Sequence, residues 1–249
     1  GGSERSTRVW ERLIAVEPTH LRAARELIPH YLGHDKFAKV LPLYEVVLGH
    51  ASTDPERLAV MADIRALCEH KLGSKGLAHA WTGRAIALAP TDPALRRDLL
   101  RLGRDPEHVG TTVTVLEQLT EHPDMIAAAP AAQIELLRDL ASLYERDRKD
   151  PERARAAWRR VLVLAPGDAD AVRRIEALST ELADWPALIA SMRQRAQVAP
   201  DDHTRVALLV EIATDEEQRL ADLDAAAATY QDVLARDPGH RAAARSLAR

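Results

Sequence analysis

The chain has one cysteine, Cys68, among its 249 residues. It can form no internal disulfide, and nothing in it asks for an oxidising compartment. Lysine occurs only at Lys36, Lys39, Lys71, Lys75 and Lys149, so positive charge comes mostly from arginine. There is no basic tail or long basic run, which argues against a nucleic-acid partner. No stretch approaches the ~20 apolar residues of a membrane span, and the opening residues do not read as a signal peptide. Gly1-Gly2-Ser3 instead reads as an expression scar, implying that the natural N-terminus is missing and leaving a cytoplasmic location as the default.

What remains is rich in alanine and leucine. Hydrophobic residues make up 46% and charged residues 29%, with a net charge of −4. That mixture is too apolar for a disordered chain and too charged for a membrane one. With only 11 glycines and 4% aromatics, it favours helix, since alanine and leucine lose least on entering one.

Four segments repeat. They are Trp10-Glu-Arg-Leu-Ile-Ala-Val-Glu-Pro18, Thr82-Gly-Arg-Ala-Ile-Ala-Leu-Ala-Pro90, Trp158-Arg-Arg-Val-Leu-Val-Leu-Ala-Pro166 and Tyr230-Gln-Asp-Val-Leu-Ala-Arg-Asp-Pro238. The prolines stand 72, 76 and 72 residues apart, about twice a 34-residue helical-repeat period. Leu27, Leu99, Ile175 and Leu247 lie nine residues beyond their prolines, and Ala78, Ala154 and Ala226 twelve before theirs. These spacings set a bulky and a small residue on the facing sides of two antiparallel helices, and proline then ends the second helix.

A second helix pair falls within each unit. Phe37 and Trp185 lie nineteen residues after their prolines, followed by Val40 and Leu188; Val109 is the weaker equivalent between them. Asp54-Pro55, Asp92-Pro93, Asp105-Pro106 and Asp150-Pro151 read as aspartate caps with proline in the first turn, and Asp184 before Trp185-Pro186 reads the same way. Ile134, Leu137, Ala141 and Tyr144 keep helical spacing. No alternating strand is found. About fourteen helices in antiparallel pairs are expected.

A helix pair of this length, with small, aromatic, small and proline residues so spaced, resembles the tetratricopeptide repeat family. Ala154 to Pro166 is the clearest match and Ala226 to Pro238 follows it; the resemblance covers essentially the whole chain. It implies an all-α fold, an α-solenoid in which antiparallel pairs stack into a right-handed superhelix. Residues 1–249 would form a single array of about six to seven pairs. Alternate repeats lack the proline motif, and the helices near Leu58–Lys71 and Val206–Leu220 look longer than the family's. Ser3–Val16 reads as a second helix without its first and His240–Arg249 as a first without its second, as in a fragment of a longer protein. Arg241, Arg245 and Arg249, four apart, suit a solvated terminal cap.

No catalytic constellation emerges. Gly73-Ser-Lys75 lacks the upstream glycine of a phosphate loop, and neither a Gly-x-Ser-x-Gly elbow nor a His-Glu-x-x-His helix is present. Cys68 takes the place of Tyr144 in the matching helix and reads as core. His30 and His34 are four apart, as two ligands on one helical face would be, but Gly33 and Asp35 suggest that the helix ends between them. His79, just before Trp81, reads as a partly exposed surface residue. No cofactor and no metal are expected.

Binding signals are clearer. An arginine stands seven residues after each repeat proline: Arg25, Arg97, Arg173 and Arg245. Arg101 and Arg104 extend the face of Arg97, and Arg138 should point to the same region. On the family's plan this side borders the concave groove, where the arginines could hold an acidic peptide or a C-terminal carboxylate. Alternatively they bond to Glu69, Glu135, Glu145 and Glu217 and keep the stack in register. Trp10, Phe37, Trp158, Trp185 and Tyr230 coincide with the family's internal packing positions; Trp81, one place early, is the member expected to reach a surface. The resemblance implies a non-catalytic scaffold binding a partner peptide or helix. The alternatives are a regulatory arm of a larger enzyme and a head-to-tail self-assembly module that oligomerises through its helical ends.

Overall fold

At each of the four repeat prolines the chain makes the same turn. The preceding residue (Glu17, Ala89, Ala165 or Asp237) donates its amide to the carbonyl four residues back at 2.8–3.2 Å. Its own carbonyl accepts the amide of the third residue on, His20, Asp92, Asp168 or His240, at 3.0–3.1 Å. That third residue caps the next helix with its side chain: Asp92 accepts the Ala94 amide at 2.7 Å and Asp168 the Ala171 amide at 3.0 Å. His20 and His240 do the same through Nδ1 for Ala23 and Ala243. Proline thus stops one helix, and two residues later a polar cap starts its antiparallel partner.

This computed structural model describes residues 2–248. Gly1 and Arg249 lie outside them, and with Arg249 goes the last member of the expected terminal arginine row. The described residues form fifteen α-helices and no strand, an all-α fold of paired helices, and the chain divides into two compact units.

Unit 1, Gly1–Gln133, contains α1 (Gly2–Val16), α2 (Leu21–Gly33), α3 (Phe37–Gly49), α4 (Asp54–Ala66), α5 (Lys75–Leu88), α6 (Pro93–Leu102), α7 (Pro106–Thr120) and the single turn α8 (Pro123–Ile126). Unit 2, Ile134–Arg249, contains most of α9 (Pro130–Leu143), then α10 (Pro151–Leu164), α11 (Ala169–Glu181), α12 (Trp185–Gln197), α13 (Asp202–Gln218), α14 (Leu223–Arg236) and α15 (Arg241–Leu247). Within each unit helices adjacent in sequence pack on one another, so each is a stretch of α-solenoid. The residues that the repeat singles out form the core: Leu27, Leu99 and Ile175 are buried, as are Ala78, Ala154 and Ala226. Each such leucine contributes about 2 kcal/mol by burial, and the alanines let the helix axes approach.

A second turn type occurs between the proline turns. α2, α4, α9, α11 and α13 are followed by a residue of positive φ: Asp35, Gly73, Lys149, Ala183 and Ala221, at φ 52° to 62°. Past Asp35 and Ala183 an amide returns to a carbonyl five residues back, Lys36 to Tyr31 and Asp184 to Ser179 at 2.9 Å. At the other three the return spans six residues, Ser74 to Cys68, Asp150 to Tyr144 and Asp222 to Glu216, at 2.8–3.0 Å. α4 and α9 accommodate the extra residue by running on as π-turns, Leu67–Lys71 and Tyr144–Arg148. The length expected near Leu58–Lys71 is this π extension; that near Val206–Leu220 is the 17 residues of α13.

Two expectations are corrected. Asp54 is inside α4 rather than its cap: Thr53 accepts the Glu56 amide while Glu56 reaches back to the Thr53 amide, a reciprocal capping box. Trp81 does not reach a surface; it is 4% exposed. Thr82 takes the place that Trp158 and Tyr230 fill elsewhere, bonding to the Ala78 carbonyl and accepting from Arg65 Nε. The indole turns inward one place earlier under the Arg84 guanidinium, 4.1 Å from the ring centroid.

Candidate interaction site

α6 ends at Leu102 against a turn that must be tight. A Cβ on Gly103 would stand 2.1 Å from Thr112 Oγ1 and 2.8 Å from the Leu99 carbonyl, so only glycine lets the α6–α7 turn close onto α7. Asp105 then caps α7 through the Glu107 amide at 3.1 Å, with Pro106 in the first turn. Nearby, α5 starts at Lys75 behind its cap Ser74. α5 and α7 come so close that a Cβ on Gly76 would lie 3.2 Å from His108 Nε2. Lys75, Arg101, Leu102, Arg104 and Asp105 line a cleft of about 380 Å³ at this junction.

The three cations are not equivalent. Arg101 meets Glu69 with both terminal nitrogens, at 2.5 and 2.9 Å, and also contacts Asp98. That pairing holds the Glu69 carboxyl below its usual range and raises Arg101 further. Arg104 and Lys75 are exposed, and neither meets a carboxylate among the described residues. Sequence spacing placed Arg101 and Arg104 together but missed Lys75; the signal available was its position directly after a turn glycine and a serine cap.

The other candidate arginines are elsewhere. In unit 1, Arg25 is exposed on α2, and Arg97, one turn before Arg101, bonds the Pro93 carbonyl at 3.2 Å without lining the cleft. In unit 2, Arg138 is held by Asp168 at 2.5 Å, with Glu135 at 3.9 Å. Because the Ala171 amide and Arg138 both bond Asp168, its carboxyl is kept below the usual range. Arg173 is 72% exposed and paired with Asp170 in its own helix; Arg245 is exposed on α15.

Of the acids expected to answer the arginines, Glu69 takes Arg101, whereas Glu145 takes Trp158 Nε1 at 2.6 Å and Arg174 at 3.1 Å. Glu217 takes the Tyr230 hydroxyl at 3.1 Å.

The histidines are structural in geometry. His34 is the C-cap of α2, so the helix does end between it and His30, and its Nδ1 lies 2.8 Å from the His30 carbonyl. Among the described residues no group of three or more metal-ligating side chains occurs, and no helix is long and apolar enough to cross a membrane. His79 is 3% exposed rather than at the surface. Its Nε2 lies 2.8 Å from Thr112 Oγ1, whose hydrogen goes to the His108 carbonyl; Thr112 therefore accepts from His79 Nε2–H. The His108 ring stacks on it at 5.1 Å. Burial, with His108 beside it, lowers the His79 pKa.

These paired helices, their proline turns and their small-residue contacts define the architecture. The fold is tetratricopeptide-repeat-like. Solved structures resemble it at low identity. The C-terminal part of a TPR repeat-containing protein from Cytophaga hutchinsonii is 15% identical, with 99% of this chain and 95% of that one covered at a TM-score of 0.41. PilF of Pseudomonas aeruginosa is 14% identical, with 100% and 99% covered at 0.37. A chain of the Naa15/Naa10 structure bound to HypK-THB is 16% identical, with 98% of this chain and 36% of that one covered at 0.47. No protein-family model matches the TPR-like chain, and no curated protein matches it.

Proposed function

We propose that the chain is a non-catalytic protein-interaction scaffold that holds an acidic segment of a protein partner at the cleft lined by Lys75, Arg101 and Arg104. The observation that carries this reading is the contrast among the cations. Arg65, Arg101, Arg138, Arg155, Arg174, Arg193 and Arg195 each bond an acid on another element, so those pairs serve the stacking of helices. Lys75 and Arg104 have no such employment, yet both face one cleft beside an arginine held in place by Glu69. An incoming carboxylate would find a pre-oriented guanidinium and two cations whose charge is unspent.

The test is affinity capture from a lysate of the source organism with three intact baits: wild type, Lys75→Glu/Arg104→Glu, and Arg173→Glu as an exposed control. A partner retained by wild type and by the control but lost by the folded double variant supports the reading. A partner held equally by all three sinks it.

A further inference from the structure

In unit 2, α12, α13 and α14 together line a cleft of about 520 Å³. Buried Ala196 and Leu209 give it an apolar base, with the exposed Ala228 beside them, and Arg193, Arg205 and Arg236 enter it from three different helices. Such a volume lies in the range of specific ligand clefts, ~300–1,000 Å³.

Each guanidinium is already positioned. Arg193 reaches Glu216, a carboxylate 2% exposed that also accepts the Thr229 hydroxyl at 2.7 Å. Arg205 is clamped by two backbone carbonyls, Ala196 at 3.0 Å and Ala199 at 3.3 Å, leaving Nη1 on Asp202 at 2.9 Å. Arg236 contacts Asp232 at 3.2 Å and the same Asp202 at 3.7 Å. Asp202 is 72% exposed and Asp232 46%. Ion pairs to acids this exposed are weak, so another carboxylate can replace these two acids readily. Glu216, by contrast, is fixed.

We infer that this cleft is a second recognition site, taking a short acidic peptide segment whose carboxylates displace Asp202 and Asp232 from Arg205 and Arg236 while an aliphatic side chain rests on Leu209. The charge of the three arginines selects the carboxylates, and the apolar floor between them favours a peptide over a bare oxyanion. The site shares no residue with the cleft of unit 1 and stands or falls separately from it.

The test uses the intact chain and a fluorescein-labelled, C-terminally amidated peptide, Glu-Leu-Asp-Leu-Glu, beside its Gln/Asn counterpart. Anisotropy should show the acidic peptide binding about tenfold tighter or better, with the preference lost when Arg205→Glu/Arg236→Glu is added to Lys75→Glu/Arg104→Glu and kept in Lys75→Glu/Arg104→Glu alone, where only this cleft remains. If the first double variant does not fold, Arg236→Gln should still weaken binding about threefold. On wild type, NMR should show the Nε–H resonances of Arg193, Arg205 and Arg236 moving with the peptide. Equal affinity for the neutral peptide, loss only with the Lys75/Arg104 change, or unmoved arginine resonances would overturn the assignment. So would inorganic phosphate moving the same resonances at equal concentration.

Discussion

Glu216 occupies in its repeat the seat that Tyr144 occupies in an earlier one: their carbonyls accept the amides of Asp222 and Asp150, six residues on, at 2.9 and 3.0 Å. Both side chains are buried, so a carboxylate lies where a phenol does, satisfied by Arg193 and Thr229. Removing one partner leaves that carboxylate short of a charge. Arg193→Ala should therefore destabilise unit 2 by about 2–3 kcal/mol in urea denaturation, and Arg193→Met/Glu216→Leu together by less.

The left-handed turns carry avoidable strain. Ala183 and Ala221 have φ near 53°, where a Cβ crowds the following carbonyl. Ala183→Gly and Ala221→Gly should each raise stability by about 0.5–1 kcal/mol, and Gly73→Ala should lower it by about as much. Thermal denaturation of the three variants checks the sign.

Gly103 is required for a different reason, its φ being negative. A Cβ there meets Thr112 Oγ1 at 2.1 Å, so Gly103→Ala should cost about 2–3 kcal/mol. Gly167, with nothing within 4 Å of a Cβ, should tolerate alanine almost without change in the same measurement.

His79 makes stability depend on pH. Its pKa is lowered in the folded chain by burial and by His108, so the unfolded chain binds the proton first as pH falls. The neutral ring's contribution is complete above the unfolded value of about 6.5 and is lost as pH falls from there through the folded value. Denaturation midpoints across this interval should decline less for His79→Gln than for wild type; equal slopes would remove His79 from the account.

Much of this was legible along the chain because it is local. Proline at a nearly constant interval, a polar cap two residues later and a small residue twelve before are one-dimensional signals, and the structure repeats a single turn at all four prolines. The failures have local causes too. Asp54 lost its cap role to Thr53 because only Thr53 has Glu56 three residues on to complete the box. Trp81 turned inward because Thr82 filled the aromatic place. His20 and His240 were missed as caps since imidazole is an uncommon substitute for aspartate there. The clefts were harder to see: Lys75 lines one cleft with Arg101 and Arg104 beside a turn made tight by Gly103, and Arg193, Arg205 and Arg236 share no repeat position.

The central claim is that Lys75 and Arg104 hold a partner's acidic segment. It is tested most directly by titration calorimetry of the captured partner's acidic segment against the intact wild type and the folded Lys75→Glu/Arg104→Glu chain, each at low and high salt. The account predicts an affinity that falls about tenfold or more in the double variant and weakens steeply with salt in the wild type. A segment bound equally by both chains, with no response to salt, would contradict it.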